Sequence, residues 1–135
     1  MKCHNSTKIT IEGRNIGPDF PPYVIAEISG NHNGNIKNAI DLITIAKESG
    51  ADAVKIQTYT PDTITMKSDR EEFKIKGGLW DGYTLYDLYK KAHTPWSWHE
   101  VLFKYARKIN ITLFSSFSDD TAGDFLESLD WPAYK

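Results

Sequence analysis

The sequence predicts an α/β fold with parallel strands and helices outside, and it favours half of a (β/α)8 TIM barrel over a doubly wound sheet. Three observations carry this. Strand and helix patterns alternate as βαβ, a long loop, then αβαβ, and such alternation means a parallel sheet with right-handed crossovers. Several strands end in polar residues on one parity, as strands do when their carboxyl ends line a site. No GxGxxG run follows a strand, as it would in a dinucleotide-binding doubly wound fold. A complete barrel takes about 250 residues, and this chain has 135. Half a barrel leaves strand edges unpaired.

Residues 1–22 read as a β arm and an extended lead-in, and residues 23–135 as the barrel part. Thr7 to Glu12 alternates, with Ile9 and Ile11 on one side, and Gly13, Gly17, Pro18, Pro21 and Pro22 then stiffen an extended approach. Tyr23 to Ile28 is the first strong strand, with Glu27 unexpectedly in the middle of VIAEI. The loop SGNHNGN follows, its glycines and asparagines suited to turns. Ile36, Ala39, Ile40, Ile43 and Ala46 recur at helical spacing, and Gly50 supplies the stop.

Ala51 to Thr60, ADAVKIQTYT, is the stretch around which the rest is arranged. Val54 and Ile56 point to one face of this strand, and Lys55 and Gln57 to the other. A strand between two helical patterns is covered on both faces, so polar side chains there must meet something polar. Residues 61–83 form a loop far longer than the usual connection of about two to six residues. Phe73, Leu79, Trp80 and Tyr83 argue that this loop is ordered. Leu85, Leu88 and Ala92 mark a short helix ending near His93.

Thr94 and Pro95 predict a helix start, with the hydroxyl capping. The apolar stripe Trp98, Val101, Leu102, Tyr105, Ala106 and Ile109 follows, closed by Asn110. Ile111 to Ser115 is a third strand, and Asp119 or Asp120 caps a helix carrying Ala122, Phe125, Leu126 and Leu129. Trp131 and Pro132 break that helix, and Ala133, Tyr134 and Lys135 are expected to begin a fourth strand.

Composition excludes several classes. A net charge of −2 gives no basic footprint, so nucleic acid is not an indicated partner. The single cysteine, Cys3, has nothing in the chain to pair with, which fits a reducing compartment. The first ten residues lack the apolar run of a secretory signal, and no stretch reaches the roughly twenty apolar residues of a membrane span. A cytoplasmic protein without membrane contact is expected.

Glu27, Lys55, Gln57, the Ser115/Ser116 pair and Lys135 all fall at or near the carboxyl ends of successive strands, and in a barrel those ends converge. Lysines supply point charge and hydroxyls supply directional donors, so together they make a cradle for a phosphate or carboxylate. A glutamate beside them supplies an acid or base. Taken singly, Glu27 and Lys55 could form a structural ion pair, and the serines could cap the next helix. His32 lies in the loop after the first strand and is a candidate substrate contact, with a turn role as the alternative. Trp80 and Tyr83 could line a sugar site or pin their loop. Trp96, Trp98 and Phe103 read as packing. His32 and His93 lie too far apart in sequence to be a metal signature.

PPYVIAEISGNHNG, GADAVKIQTYTPDT, GGLWDGYTLYDLYKKAHTPW and DFLESLDWPAYK resemble, in this order, the amino-terminal half of the sialic acid synthase family. The LYDLYKKAHTP run is similar to the pseudaminic acid synthase branch. The resemblance implies the amino-terminal half of a TIM barrel that condenses phosphoenolpyruvate with an N-acetylated hexose, releasing phosphate. It implies a divalent metal, Mn2+ or Mg2+, whose ligands are expected outside this chain, and a homodimeric parent. By motif, Glu27 would approach the reacting carbons as a catalytic residue. Lys55, also catalytic, and Gln57 would face phosphoenolpyruvate and the sugar, and Ser116 and Lys135 would hold phosphoenolpyruvate. The chain reads SSFSD where the family has SSPFD or STPFD. The family's carboxyl-terminal small domain has no counterpart here, so a fragment that is inactive by itself is expected.

The branch implies 2,4-diacetamido-2,4,6-trideoxy-altrose as the acceptor. N-acetylneuraminate or legionaminic acid synthesis would differ only in the hexose. Outside this chemistry stand a non-catalytic half-barrel that keeps an anion site, and a barrel that uses a lysine as a Schiff base.

Overall fold

The computed structural model describes residues 8–135. Statements about residues 1–7, including Cys3 and the first residue of the expected arm strand, lie outside that range. The arm is a hairpin of β1 (Ile9–Ile11) and β2 (Arg14–Ile16), antiparallel, with Ile9 opposite Ile16. Glu12 and Gly13 turn it with positive φ at both positions, 44° and 82°, the twist that suits a two-residue hairpin.

The barrel part is a parallel sheet of three strands, β3 (Ile25–Glu27), β4 (Ala53–Thr58) and β5 (Thr112–Phe117), in the order β3-β4-β5. Helix α1 (Ile36–Glu48) crosses from β3 to β4. Asn35 opens it by accepting from the Lys37 amide at 2.9 Å. Gly50, at φ 86°, closes it, and the Ala51 amide reaches back to the Ala46 carbonyl at 3.0 Å.

The connection from β4 to β5 is ordered throughout. It holds one turn of helix, α2 (Pro61–Ile64), a 3₁₀ turn at Glu71–Phe73, then α3 (Leu85–Ala92) and α4 (Trp96–Lys108). Thr84 caps α3 through the Asp87 amide at 3.1 Å. Asn110 ends α4 in the left-handed region at φ 56°. Helix α5 (Asp120–Glu127) follows β5, and of the two candidate caps it is Asp119 that accepts from the Ala122 amide, at 3.1 Å.

The core lies between sheet and helices. Val54 and Ile56 of β4 and Leu113 of β5 meet Ala39 and Ile43 of α1, Leu102 and Ala106 of α4 and Leu126 of α5, all 3% exposed or less. Full burial of one such side chain contributes about 1.5–3 kcal/mol. The buried stripe of α4 is rotated from the expected one: Val101 is 46% exposed, while His99 and Phe103 are inside. Among the described residues no helix is long and apolar enough to cross a membrane.

Two local expectations are corrected. Thr94 does not cap α4, because its hydroxyl is engaged by the His32 ring. Ala133–Lys135 is not a strand: these residues do not pair with the free edge of β5. The segment is held by side chains instead. Trp131 packs its ring at 5.5 Å from Phe117 and 4.6 Å from Tyr134, and the Tyr134 hydroxyl donates to the Glu127 carboxylate.

Candidate active site

Parallel pairing sets Glu27 beside Lys55 and Lys55 beside Phe114, with Gln57 beside Ser116 one row further on. Side chains alternate along a strand, so all of these project from the face opposite the helix-covered core. The polar parity of ADAVKIQTYT is therefore the inner face of the partial barrel. There a cleft of about 450 Å³ is lined by Glu27, Lys55, Phe114, Tyr134 and Lys135, with Ile11 of the hairpin below.

The Lys55 ammonium is in direct contact with the Glu27 carboxylate. The other Glu27 oxygen, Oε1, accepts from the Ser29 amide at 3.0 Å and the Ser29 hydroxyl at 3.2 Å. The turn that leaves β3 thus orients the glutamate, and Ser29 adopts a left-handed φ of 42° to do so. Burial pulls the Lys55 ammonium below the usual lysine range, and the charge of Lys135 adds to this. Two cations and one carboxylate around an open cleft suit an anionic ligand that takes over part of the Glu27 contact.

Five of the residues singled out from sequence, Glu27, Lys55, Gln57, Ser116 and Lys135, therefore lie on one face. Ser115 does not join them. It is fully buried among the helices, its hydroxyl 2.7 Å from that of Thr58.

His32 is also elsewhere. It is 1% exposed, accepts from the Gly34 amide at Nδ1 (3.1 Å), and so donates from Nε2 to the Thr94 hydroxyl at 3.3 Å. Burial, with the nearby His93 charge, holds it below the usual histidine range, and Trp98 meets its ring edge-on at 5.2 Å. This neutral ring ties the loop after β3 to the α3–α4 junction.

Trp80 and Tyr83 form an edge-to-face pair at 5.4 Å, and the Lys91 ammonium of α3 lies 5.3 Å and 5.6 Å from their ring centres. In this arrangement the two rings pin their loop to α3 and stand apart from the residues lining the cleft.

His99 was missed by sequence reasoning. It is fully buried, with Nε2 2.7 Å from the Thr58 hydroxyl, and burial pushes its pKa down to about 4. The signal was present: His99 shares a helix face with Leu102 and Ala106, and Thr58 shares a strand parity with Val54 and Ile56. Each is a polar residue on an apolar face, and each is the other's partner.

Among the described residues no three His, Cys, Asp or Glu side chains converge to hold a metal ion. The described residues therefore do not by themselves make up a metal centre.

A family model described as NeuB family matches residues 42–135. Over 121 residues the chain is 48% identical to a pseudaminic acid synthase of Campylobacter jejuni, covering 90% of this chain and 35% of that protein. It is 49% identical over 115 residues to a pseudaminic acid synthase of Helicobacter pylori, covering 85% and 34%. The crystal structure of an N-acetylneuraminic acid synthetase from Leptospira borgpetersenii, in complex with citrate, superimposes with a TM-score of 0.76 at 25% identity, covering 93% of this chain and 39% of that one. The chain thus spans about a third of the length of the curated relatives it matches.

Proposed function

Because the chain belongs to the NeuB family, we propose that it forms the phosphoenolpyruvate-binding part of a nonulosonic acid synthase of the pseudaminic acid branch. The acceptor in this reading is 2,4-diacetamido-2,4,6-trideoxy-altrose. The observation that carries it is the cleft in which Lys55, Glu27 and Lys135 meet on one face of a parallel sheet. Similarity to two pseudaminic acid synthases supports the branch.

The chemistry asks for such a site. Carbon three of phosphoenolpyruvate attacks the sugar aldehyde, carbon two becomes cationic and takes up water, and the resulting tetrahedral centre expels phosphate to leave a ketone. Lys55 and Lys135 balance the charge of the carboxylate and phosphate. Gln57 and Ser116 supply directional donors at the strand ends. Glu27, oriented by Ser29, stabilises the cation at carbon two and accepts the proton of the incoming water. The divalent metal of this reading would be held by residues other than those described here, in a full-length, homodimeric enzyme acting in the cytoplasm.

Calorimetric titration of phosphoenolpyruvate into the chain tests the anion site. Saturable binding that Lys55→Met abolishes is expected, and no binding, or binding indifferent to that change, overturns the proposal. Assaying the full-length gene product with the altrose derivative, N-acetylmannosamine and the legionaminic acid precursor, with Mn2+, tests the branch. Turnover confined to either of the latter two refutes it.

A further inference from the structure

We infer that His99 is a positioning residue for this site: through the Thr58 and Ser115 hydroxyls it holds β5 in the register that turns Ser116 toward Gln57 and the cleft. The inference rests on the function proposed above, because it concerns how one of that site's donors is aimed.

The polarity of the contacts follows from chemistry. His99 Nδ1 lies 3.2 Å from the Pro95 carbonyl, which can only accept, so Nδ1 carries the proton. A neutral ring then has Nε2 as an acceptor, and the Thr58 hydroxyl at 2.7 Å must donate to it. With its own hydrogen committed, Thr58 can only accept at its 2.7 Å contact with the Ser115 hydroxyl, which also reaches the Ser116 and Ile56 carbonyls at 3.0 Å and 3.2 Å. The relay runs one way, from Ser115 to Thr58 to His99, and ends on a backbone carbonyl. All three residues are fully buried.

Strand β5 needs this help. Its sequence is TLFSSF, in which Leu113 and Phe114 are both apolar and Ser115 and Ser116 are identical. Shifting a strand by one residue flips every side chain to the opposite face, and alternation normally forbids the shift. Moving β5 along by one residue puts Phe114 in the core place of Leu113 and Ser116 in that of Ser115, so on the core face these two rows separate the registers weakly. A buried acceptor in the helix layer breaks the tie. Whichever serine faces α4 must donate into the relay, and the residue beside it must face the cleft. In the observed register that residue is Ser116, opposite Gln57.

Thr58→Val removes the hydroxyl at constant shape, and Thr58→Ser keeps it. In the 135-residue chain, Thr58→Val is expected to weaken phosphoenolpyruvate binding about tenfold, the scale of one lost hydrogen bond. It should also speed amide exchange at Ser116 and Phe117, and Thr58→Ser should restore both. Nitrogen-15 spectra of wild type should show an unprotonated Nε2 at His99. A protonated Nε2, or a folded Thr58→Val chain that binds as wild type while Lys55→Met does not bind, overturns the inference and leaves the proposed function standing. Failure of wild type to bind removes both.

Discussion

Lys55 and Glu27 occupy the same row of adjacent parallel strands, and their side chains touch, yet the two are unequally sheltered: the lysine side chain is 11% exposed and the glutamate 37%. The pair is therefore asymmetric in what its loss would cost. Removing the lysine leaves a carboxylate that water can reach. Removing the glutamate leaves an ammonium with little water and with Lys135 as its neighbour.

At pH 7, Glu27→Gln should accordingly destabilise the chain by about 1–3 kcal/mol, and Lys55→Met by less than 1 kcal/mol. Urea denaturation of both variants checks this. The gap should close as pH rises and Lys55 loses its proton, because its lowered pKa brings the neutral form within reach sooner than for a free lysine. Equal losses at pH 7 would show that the ion pair is not what holds the lysine in place.

Acid should weaken the fold through His99. Its pKa is about 4 in the folded chain, against an ordinary 6.5, so the unfolded chain binds the extra proton first. Stability from this residue is complete above pH 6.5 and is lost as pH falls toward 4, by about 3 kcal/mol in total. His32, also lowered, contributes in the same direction. The stability difference between wild type and His99→Gln should shrink by that amount between pH 7 and pH 4. A constant difference would contradict a buried neutral ring.

Gly30 leaves no space for a side chain. A β-carbon there would lie 2.7 Å from the Ala92 carbonyl oxygen, which is backbone and cannot swing away. Gly30→Ala should cost about 1–3 kcal/mol and loosen the His32 contact to Thr94. Gly123→Ala, which meets only the Phe117 ring at 3.3 Å, should cost less. Thermal melts of the two variants make the comparison.

The clasp of Lys91 on Trp80 and Tyr83 should be local in its effect. Lys91→Met is expected to speed amide exchange at Ile75, Gly82 and Tyr83, whose backbones pair across the loop, by about threefold to fivefold. Exchange at Val54 and Leu113, in the sheet, should be unchanged. A uniform rise across the chain would make the clasp a global support instead.

What the sequence revealed divides along the range of the interactions. Asn35, Asp119 and Asn110 set helix boundaries through bonds to nearby residues, so spacing and residue type sufficed. The alternation of Val54, Lys55, Ile56 and Gln57 showed which face of β4 was polar for the same reason. Properties that depend on distant partners were hidden. Ala133–Lys135 has the composition of a strand, yet its aromatic ring is taken up by Trp131 and its hydroxyl by Glu127 while the edge of β5 stays unpaired. Thr94 has the right place for a cap, but a ring 62 positions earlier takes its hydroxyl. Ser115 and Ser116 are alike and adjacent, so residue type alone does not say which one faces the helices; Ser115 does, against Thr58 and His99. The same holds for Trp80 and Tyr83, whose partner on α3 no local pattern announces.

The hairpin at the start of the described chain has a consequence for traffic. Glu12 takes the hydrogen of the Thr112 hydroxyl, and Arg14 grips Asp52, so β1 and β2 are fastened beneath the amino ends of β4 and β5. With that floor in place, the cleft beside Lys55 is shut on its amino side, where Ile11 lines it.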